Sequence, residues 1–269
     1  MQRASDLSAT IALTIAGHDP SSGAGITADL QTFAAHRIFG TSAVAALTAQ
    51  STLGVSAVDA VSPRVLRQVL ETLQADLPAS GIKIGMLGDA AVAAEVAAFL
   101  GDKQHIPIVF DPVLASSSGA SLLEGEALDV VRSVLLPAVA WITPNWAELA
   151  ALSEVPVTTL AEAQAAMQKL SERAPKLTIV ATGGDLARPI DLLRLPNGEF
   201  HHLEGEHIET TSTHGTGCAF SSALLCRLLL DDDPVSAASG AKEYVAEAMR
   251  RAKKIGHGRG PLDLLWTLQ

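Results

Sequence analysis

Positive charge, aromatic residues and cysteine are all scarce in this chain, and each shortage removes a class of protein. Its 269 residues carry 19 Lys and Arg against 29 Asp and Glu, a net charge of −10. That is the wrong sign for a protein whose affinity rests on nucleic-acid phosphates or anionic lipid, so neither is an expected partner. Cys218 and Cys226 are the two cysteines. They stand in one stretch of helical pattern, cannot form a disulfide framework, and suit a reducing cytosol. Apolar runs are broken, as at Glu95 and Pro137, well before the roughly eighteen residues that span a bilayer. The run 9–16 lacks a basic lead and a cleavage site, so it reads as a strand rather than a signal segment. A cytoplasmic location is the default expectation. Aromatics make up 4% of the chain, and Trp141, Trp146, Trp266 and Tyr244 read as core or rim residues rather than stacking platforms.

What the chain does have is apolar residues, 48% against 18% charged, a composition that excludes disorder. At this length a fold buries roughly three-quarters of the surface the unfolded chain exposes. Short apolar runs alternate with longer segments of helical period, which is the pattern of βα units around a largely parallel sheet. Strands are predicted at 11–16, 43–48, 82–85, 108–110, 140–143 and 178–181, and helices at 24–36, 64–77, 90–100, 124–135, 146–152 and 161–174. Pro196-Asn197-Gly198 between 191–195 and 199–203 predicts an antiparallel hairpin on the sheet edge. Two helices close the chain: 215–230, apolar on nearly every side and hence buried, and 234–254, more amphipathic. Nothing divides the chain, so one domain over 1–269 is expected.

Two glycine-rich loops run into helices and can present backbone N–H groups to an anion. The first, Gly17 to Gly25, follows the first strand. It lacks the third glycine of a dinucleotide fingerprint, and no Gly-Lys pair exists for a Walker A loop. A tight strand-to-helix turn explains it equally well. In the second, Thr213-His214-Gly215-Thr216-Gly217-Cys218, the glycines allow close backbone approach. Cys218 falls in the first helical turn, where the dipole is expected to lower its thiol pKa and make it a proton acceptor. The plainer reading is a small packing residue, which Cys226 receives outright.

Asp111, Asn145 and Glu148 follow strands, and strand carboxyl ends share one crevice in such a sheet. Asp111 and Glu148 could therefore hold Mg²⁺ together. Asn145 and Glu148 also have the spacing of a capping box. The cluster His201, His202, Glu204, Glu206 and His207 reads as a solvated edge strand whose side chains alternate faces, not as a metal site.

The segments AGHDPSSGAGITADLQT (from Ala16), ALTAQST (from Ala46), KIGML (from Lys83), DPV (from Asp111), LLPAVAWITPNWAE (from Leu135), THGTGCAFSSAL (from Thr213) and GHGRGP (from Gly256) run in order along the chain. Together they resemble bacterial hydroxymethylpyrimidine/phosphomethylpyrimidine kinases, enzymes of thiamine biosynthesis with a ribokinase-like fold. The resemblance implies a mostly parallel sheet flanked by helices on both faces. It also implies a homodimer, and an ATP- and Mg²⁺-dependent kinase that phosphorylates 4-amino-5-hydroxymethyl-2-methylpyrimidine and then its monophosphate.

By the same resemblance Gln50 recognises the aminopyrimidine edge, with Gly17, Ala24, Asp29, Met86 and Val113 completing the substrate pocket. Cys218 would be catalytic, with Gly215, Thr216 and Gly217 as the anion hole. Asn145, Thr182 and Lys242 would serve ATP, and Asp111 and Glu148 the metal. Two family lysines are missing: Ser117-Ser118-Gly119-Ala120 and Thr182-Gly183-Gly184 stand in their places. Lys83, Lys242 or a second metal ion are the candidates to supply the lost charge. The alternatives are a pyridoxal or pyridoxine kinase, and a non-catalytic pyrimidine-binding or regulatory protein.

Overall fold

A computed structural model describes residues 9–114, 125–183 and 189–269. Nine strands form one sheet: β1 (Ile11–His18), β2 (Phe39–Ser51), β3 (Gly54–Ala60), β4 (Gly81–Ile84), β5 (Ile108–Phe110), β6 (Trp141–Ile142), β7 (Thr178–Ala181), β8 (Ile190–Arg194) and β9 (Phe200–Glu204). Their spatial order is β3-β2-β1-β4-β5-β6-β7-β8-β9. The six strands from β2 to β7 in that order are parallel. The two edges are antiparallel, β3 on β2 and the β8–β9 pair on β7. Central strands are buried on both faces, which is why they appear in the sequence as continuous apolar runs.

The helices are α1 (Gly25–Ala35), α2 (Pro63–Asp76), α3 (Ala90–Leu100), α4 (Glu126–Val130), α5 (Trp146–Ser153), α6 (Leu160–Arg173), α7 (Thr216–Leu229) and α8 (Pro234–Arg251). Strand alternation sends Leu13, Ile15, Ile82, Ile84, Ile108 and Phe110 to one face, where α2 to α6 cover them. Ala12, Val109, Trp141 and Val180 face the other layer, built from α1, α7 and α8. α7 is buried at every position from Ala219 to Cys226, as its apolar sequence requires. Several helix starts are fixed by side chains named in the sequence: Asp89 caps α3, Thr159 with Glu162 boxes α6, and Asp233 precedes Pro234 at α8. Among the described residues no helix is long and apolar enough to cross a membrane.

Two expectations need correcting. The strictly alternating βα order fails at β3, a strand not read from the sequence. Its residues are mostly exposed or half-buried, so it carries no hydrophobic period and forms because the overlong β2 offers it an edge. The helix expected over 124–135 is α4 followed by a π turn, Val131–Leu135, and Glu124 lies outside the described residues. So do Ser117, Ser118, Gly119, Ala120 and Gly184 of the two departures from the family pattern.

Candidate active site

β1 is flanked by β2 on one side and β4 on the other, so the chain reverses its direction of travel across the sheet at this strand. Open parallel sheets bind ligands at such a switch point, beyond the strand carboxyl ends. One crevice lies there. It is lined by Gly17, Ala24, Gln50, Met86, Asp111, Val113, Asn145, Glu148, Thr182, Gly215, Thr216, Gly217, Cys218 and Lys242, all of them expected site residues. Asp29 is the exception. It is wholly buried in α1 and lies behind the lining, not in it.

The two glycine loops interlock at the floor of the crevice. Gly215 caps α7 in the left-handed region at φ 83°, and a Cβ there would stand 2.0 Å from the Gly23 carbonyl oxygen. Gly25 starts α1 at φ 58° against the Gly17 carbonyl, where a Cβ would come within 2.3 Å. Any larger residue would separate the loops. α7 has no side-chain cap, so its first-turn N–H groups are directed at the crevice beside Asp111. A Cβ on Gly217 would lie 3.6 Å from Asp111 Oδ2.

Asp19 and His214 join these loops and were not picked out as site residues from the sequence. Asp19 Oδ1 accepts from Ser21 N and Oγ at 2.8 and 2.7 Å, and Oδ2 from Ala24 N at 3.0 Å. His214 Nε2 lies 2.7 Å from Oδ2. Burial alone would raise the Asp19 carboxyl, but the hydrogen bonds from His214 and Ser21 hold it below its ordinary value. Their sequence signal was weak, an Asp-Pro in a turn and a His before a glycine, because the contact spans 195 residues.

Under the crevice, Lys83 of β4 pairs with Asp29 at 3.0 Å with both side chains fully buried. Thr14 Oγ1 and Ser222 Oγ also donate to Asp29, at 2.6 and 2.8 Å. Burial would lower the Lys83 ammonium, yet attraction to Asp29, then Cys218 and Asp111, raises it above its ordinary value. This cation is committed to the floor. Lys242 is committed too: its Nζ lies 2.9 Å from Asp191 Oδ2 and donates to the Leu203 carbonyl at 2.9 Å. Asp191 Oδ1 in turn accepts from Gly183 N at 2.9 Å, so Lys242 braces the 182–183 turn through Asp191. Thr182 N donates to the Pro144 carbonyl at 2.9 Å, which sets it beside Asn145.

The capping box at α5 forms as its spacing suggests, with Asn145 N donating to Glu148 Oε2 at 2.8 Å and Glu148 N to Asn145 Oδ1 at 2.9 Å. Burial, then the nearby Asp111 charge, push the Glu148 carboxyl up to about 8. Asp111 is also raised, by burial first; Lys83 and hydrogen bonds from Ser221 and Cys218 oppose this. The expected lowering of Cys218 is overturned. Burial pushes its thiol up to about 12, and Lys83 and the Gly25 N–H do not offset this. Cys226 is buried and raised as well, as fits a packing residue.

Two buried carboxylates with a charge surplus and hard oxygen donors fit Mg²⁺, which takes one or two carboxylates and leaves its other positions to water and phosphate. Among the described residues no group of three or more His, Cys, Asp or Glu is placed to hold a metal. On β9, Leu203 is buried while His202 and Glu204 face solvent.

Residues 19–263 match the model of the phosphomethylpyrimidine kinase family. The chain is 38% identical to a hydroxymethylpyrimidine/phosphomethylpyrimidine kinase of Haemophilus influenzae, an alignment of 255 residues covering 93% of this chain and 95% of that one. It resembles the solved phosphomethylpyrimidine kinase of Clostridium difficile with a TM-score of 0.77 at 32% identity, over 89% of this chain and 99% of that one. The pyridoxal kinase of Staphylococcus aureus, solved with AMP-PCP and pyridoxal, has a TM-score of 0.85 at 27% identity, over 96% and 94% of the two chains.

Proposed function

The chain belongs to the phosphomethylpyrimidine kinase family, and we propose a division of labour among its crevice residues that follows from their chemistry. The protein is a hydroxymethylpyrimidine/phosphomethylpyrimidine kinase, a phosphotransferase of thiamine biosynthesis with ATP as co-substrate. Pyridoxal kinase is a structural neighbour at lower identity. A binding-only role gives no use for Cys218 beside Asp111 at the start of α7.

The observation that carries the site assignment is convergence. In the strand order Gln50 of β2 and the Asn145 and Thr182 turns after β6 and β7 lie on either side of Asp111, and all line one crevice with Cys218 and the start of α7. Gln50 offers a donor and an acceptor to the aminopyrimidine edge. Thr216, Gly217 and Cys218 present first-turn N–H groups to the transferring phosphoryl. Asp111 and Glu148 would hold Mg²⁺, which supplies neutralisation of phosphate charge.

Cys218 works as a thiol. Its sulfur accepts the hydrogen bond of the substrate hydroxyl while its own proton is directed at Asp111. As the new phosphorus–oxygen bond forms and the bond to ADP breaks, the hydroxyl proton passes to the Cys218–Asp111 pair. In a loose transition state that proton is lost late, so positioning matters more than base strength. The second acceptor, a phosphate monoester, has less need of this pair. The chain acts as one kinase domain, as a homodimer, in the cytoplasm. Phosphorus NMR of the reaction tests the reading: a monophosphate must appear first and a diphosphate after it, and a reaction that stops at ATP and unchanged pyrimidine refutes it.

A further inference from the structure

Gln50 has a neighbour at each end of its amide. The end 3.1 Å from His214 Nε2 is drawn as nitrogen, and the end 3.1 Å from Thr48 Oγ1 as oxygen. The two ends have the same shape, so their direction is settled by the protons around them. Asp19 Oδ2, 2.7 Å from His214 Nε2, is a carboxylate oxygen and only accepts. His214 Nε2 therefore carries a proton, whichever charge state the ring has, and a donor facing it from Gln50 is the wrong group. At the other end, the single proton of Thr48 Oγ1 has two acceptors in reach, the His18 carbonyl at 3.0 Å and the Gln50 end at 3.1 Å; given to the carbonyl, it leaves the hydroxyl to accept from Gln50. Turning the amide end for end, oxygen toward His214 and nitrogen toward Thr48, removes the clash of donors: the one Nε2 proton is shared between Asp19 Oδ2 and the Gln50 oxygen, and the Thr48 hydroxyl accepts from the nitrogen.

We propose that Asp19 and His214 are specificity-determining positioning residues that fix the direction of the Gln50 amide and thereby the order of donor and acceptor offered to the substrate ring. This rests on the pyrimidine-kinase reading and deepens it. With His214 and Thr48 each using one site, the amide keeps one acceptor on the His214 side and one donor on the Thr48 side. An aminopyrimidine matches this in one direction only, its amino group toward His214 and its ring nitrogen toward Thr48. The hydroxymethyl group sits on the carbon next to the amino group, so the same direction carries it toward α7, where Cys218 stands. A ring with an oxo group and a protonated nitrogen has the opposite order, and meets oxygen with oxygen and donor with donor.

The packing gives the pair a fixed place. A Cβ on Gly23 would stand 2.2 Å from His214 Cδ2, and His214 N donates to the Gly260 carbonyl at 3.0 Å. The imidazole is held between the two loops with its Nε2 on Asp19.

The test compares kcat/KM for the 4-amino ring and its 4-oxo analogue. Wild type should favour the amino ring by at least about a hundredfold, as sites built on paired polar groups do. In Asp19→Asn the histidine nitrogen can become an acceptor and either amide direction is allowed, so the ratio should fall to about tenfold or less. The fall should come from a higher KM for the amino ring, with the KM for the oxo ring unchanged or lower. His214→Leu removes the donor and should lower the ratio in the same way, which covers failure of the first variant to fold. On wild-type protein, NMR contacts from the Gln50 amide protons to the Thr48 methyl read the direction without any variant. Contacts to the His214 ring instead, or an unchanged ratio in both variants, overturn the proposal. Failure of wild type to phosphorylate the amino ring at all overturns the kinase reading instead.

Discussion

Lys83 Nζ lies 3.0 Å from the Asp29 carboxylate, and neither side chain reaches solvent. Removing one partner strands a buried charge, which costs about 3–5 kcal/mol. Lys83→Met should therefore lower the melting temperature by roughly 10 °C, at about 2–4 °C per kcal/mol for a chain of this size. Lys83→Met with Asp29→Asn should recover more than half of the loss. Differential scanning calorimetry checks both, and a single variant within 2 °C of wild type by that method would contradict a structural ion pair.

Glu148 gives a pH dependence of stability. Its carboxyl is raised from 4.5 to about 8 in the folded protein, so the native state holds the proton more tightly than the unfolded state does. Stability falls as pH rises through that window. Without divalent metal, Glu148→Gln should melt roughly 5 °C or more above wild type at alkaline pH and close to it under acid conditions. A variant less stable than wild type above pH 8 would show that Glu148 stabilises as an anion. The same variant should lose most of its Mg²⁺-dependent activity.

Cys218, pushed up to about 12, should react slowly with iodoacetamide at neutral pH, with a rate that climbs only well above the range of a free thiol. Mass spectrometry reads the labelled site. Fast labelling at neutral pH would restore the low-pKa expectation. Cys218→Ala should lower kcat on the hydroxymethylpyrimidine by about 10²–10⁴ and on the monophosphate much less. Equal losses on both acceptors would contradict its role as partner of the hydroxyl.

Gly215 has φ 83° and faces the Gly23 carbonyl. Gly215→Ala should cost about 1–3 kcal/mol through backbone strain alone, and more through separation of the loops. Activity should fall further than stability, because α7's first-turn N–H groups move with the loop. Denaturant melts and kcat on the same preparation separate the two, and full activity would show that the loops need not touch.

Much of the fold was legible because central strands and helix caps are local features. The 108–110 and 178–181 strands and the 90–100 helix stand where the apolar runs and the helical period place them. β3 was not legible, since an exposed edge strand needs no hydrophobic period. The crevice lining was legible wherever a motif ended a strand or opened a helix, as at Asp111 and Cys218. What escaped were relations between distant residues: His214 with Asp19, Lys83 with Asp29, Lys242 with Asp191. The same is true of Cys218, for which the helix dipole suggested a lowered thiol while burial among carboxylates raises it. Lys83 and Lys242, the candidates to replace two family lysines, are each held by a carboxylate.

Coupled measurement of ADP release from purified protein with ATP and Mg²⁺ tests the pyrimidine-kinase assignment most directly. The acceptors are the hydroxymethylpyrimidine, its monophosphate and pyridoxal. Turnover on both pyrimidines with little on pyridoxal is the expected result, and it would show that phosphoryl transfer proceeds without the two lysines. Turnover chiefly on pyridoxal, or none on any acceptor despite measurable pyrimidine binding, would contradict it.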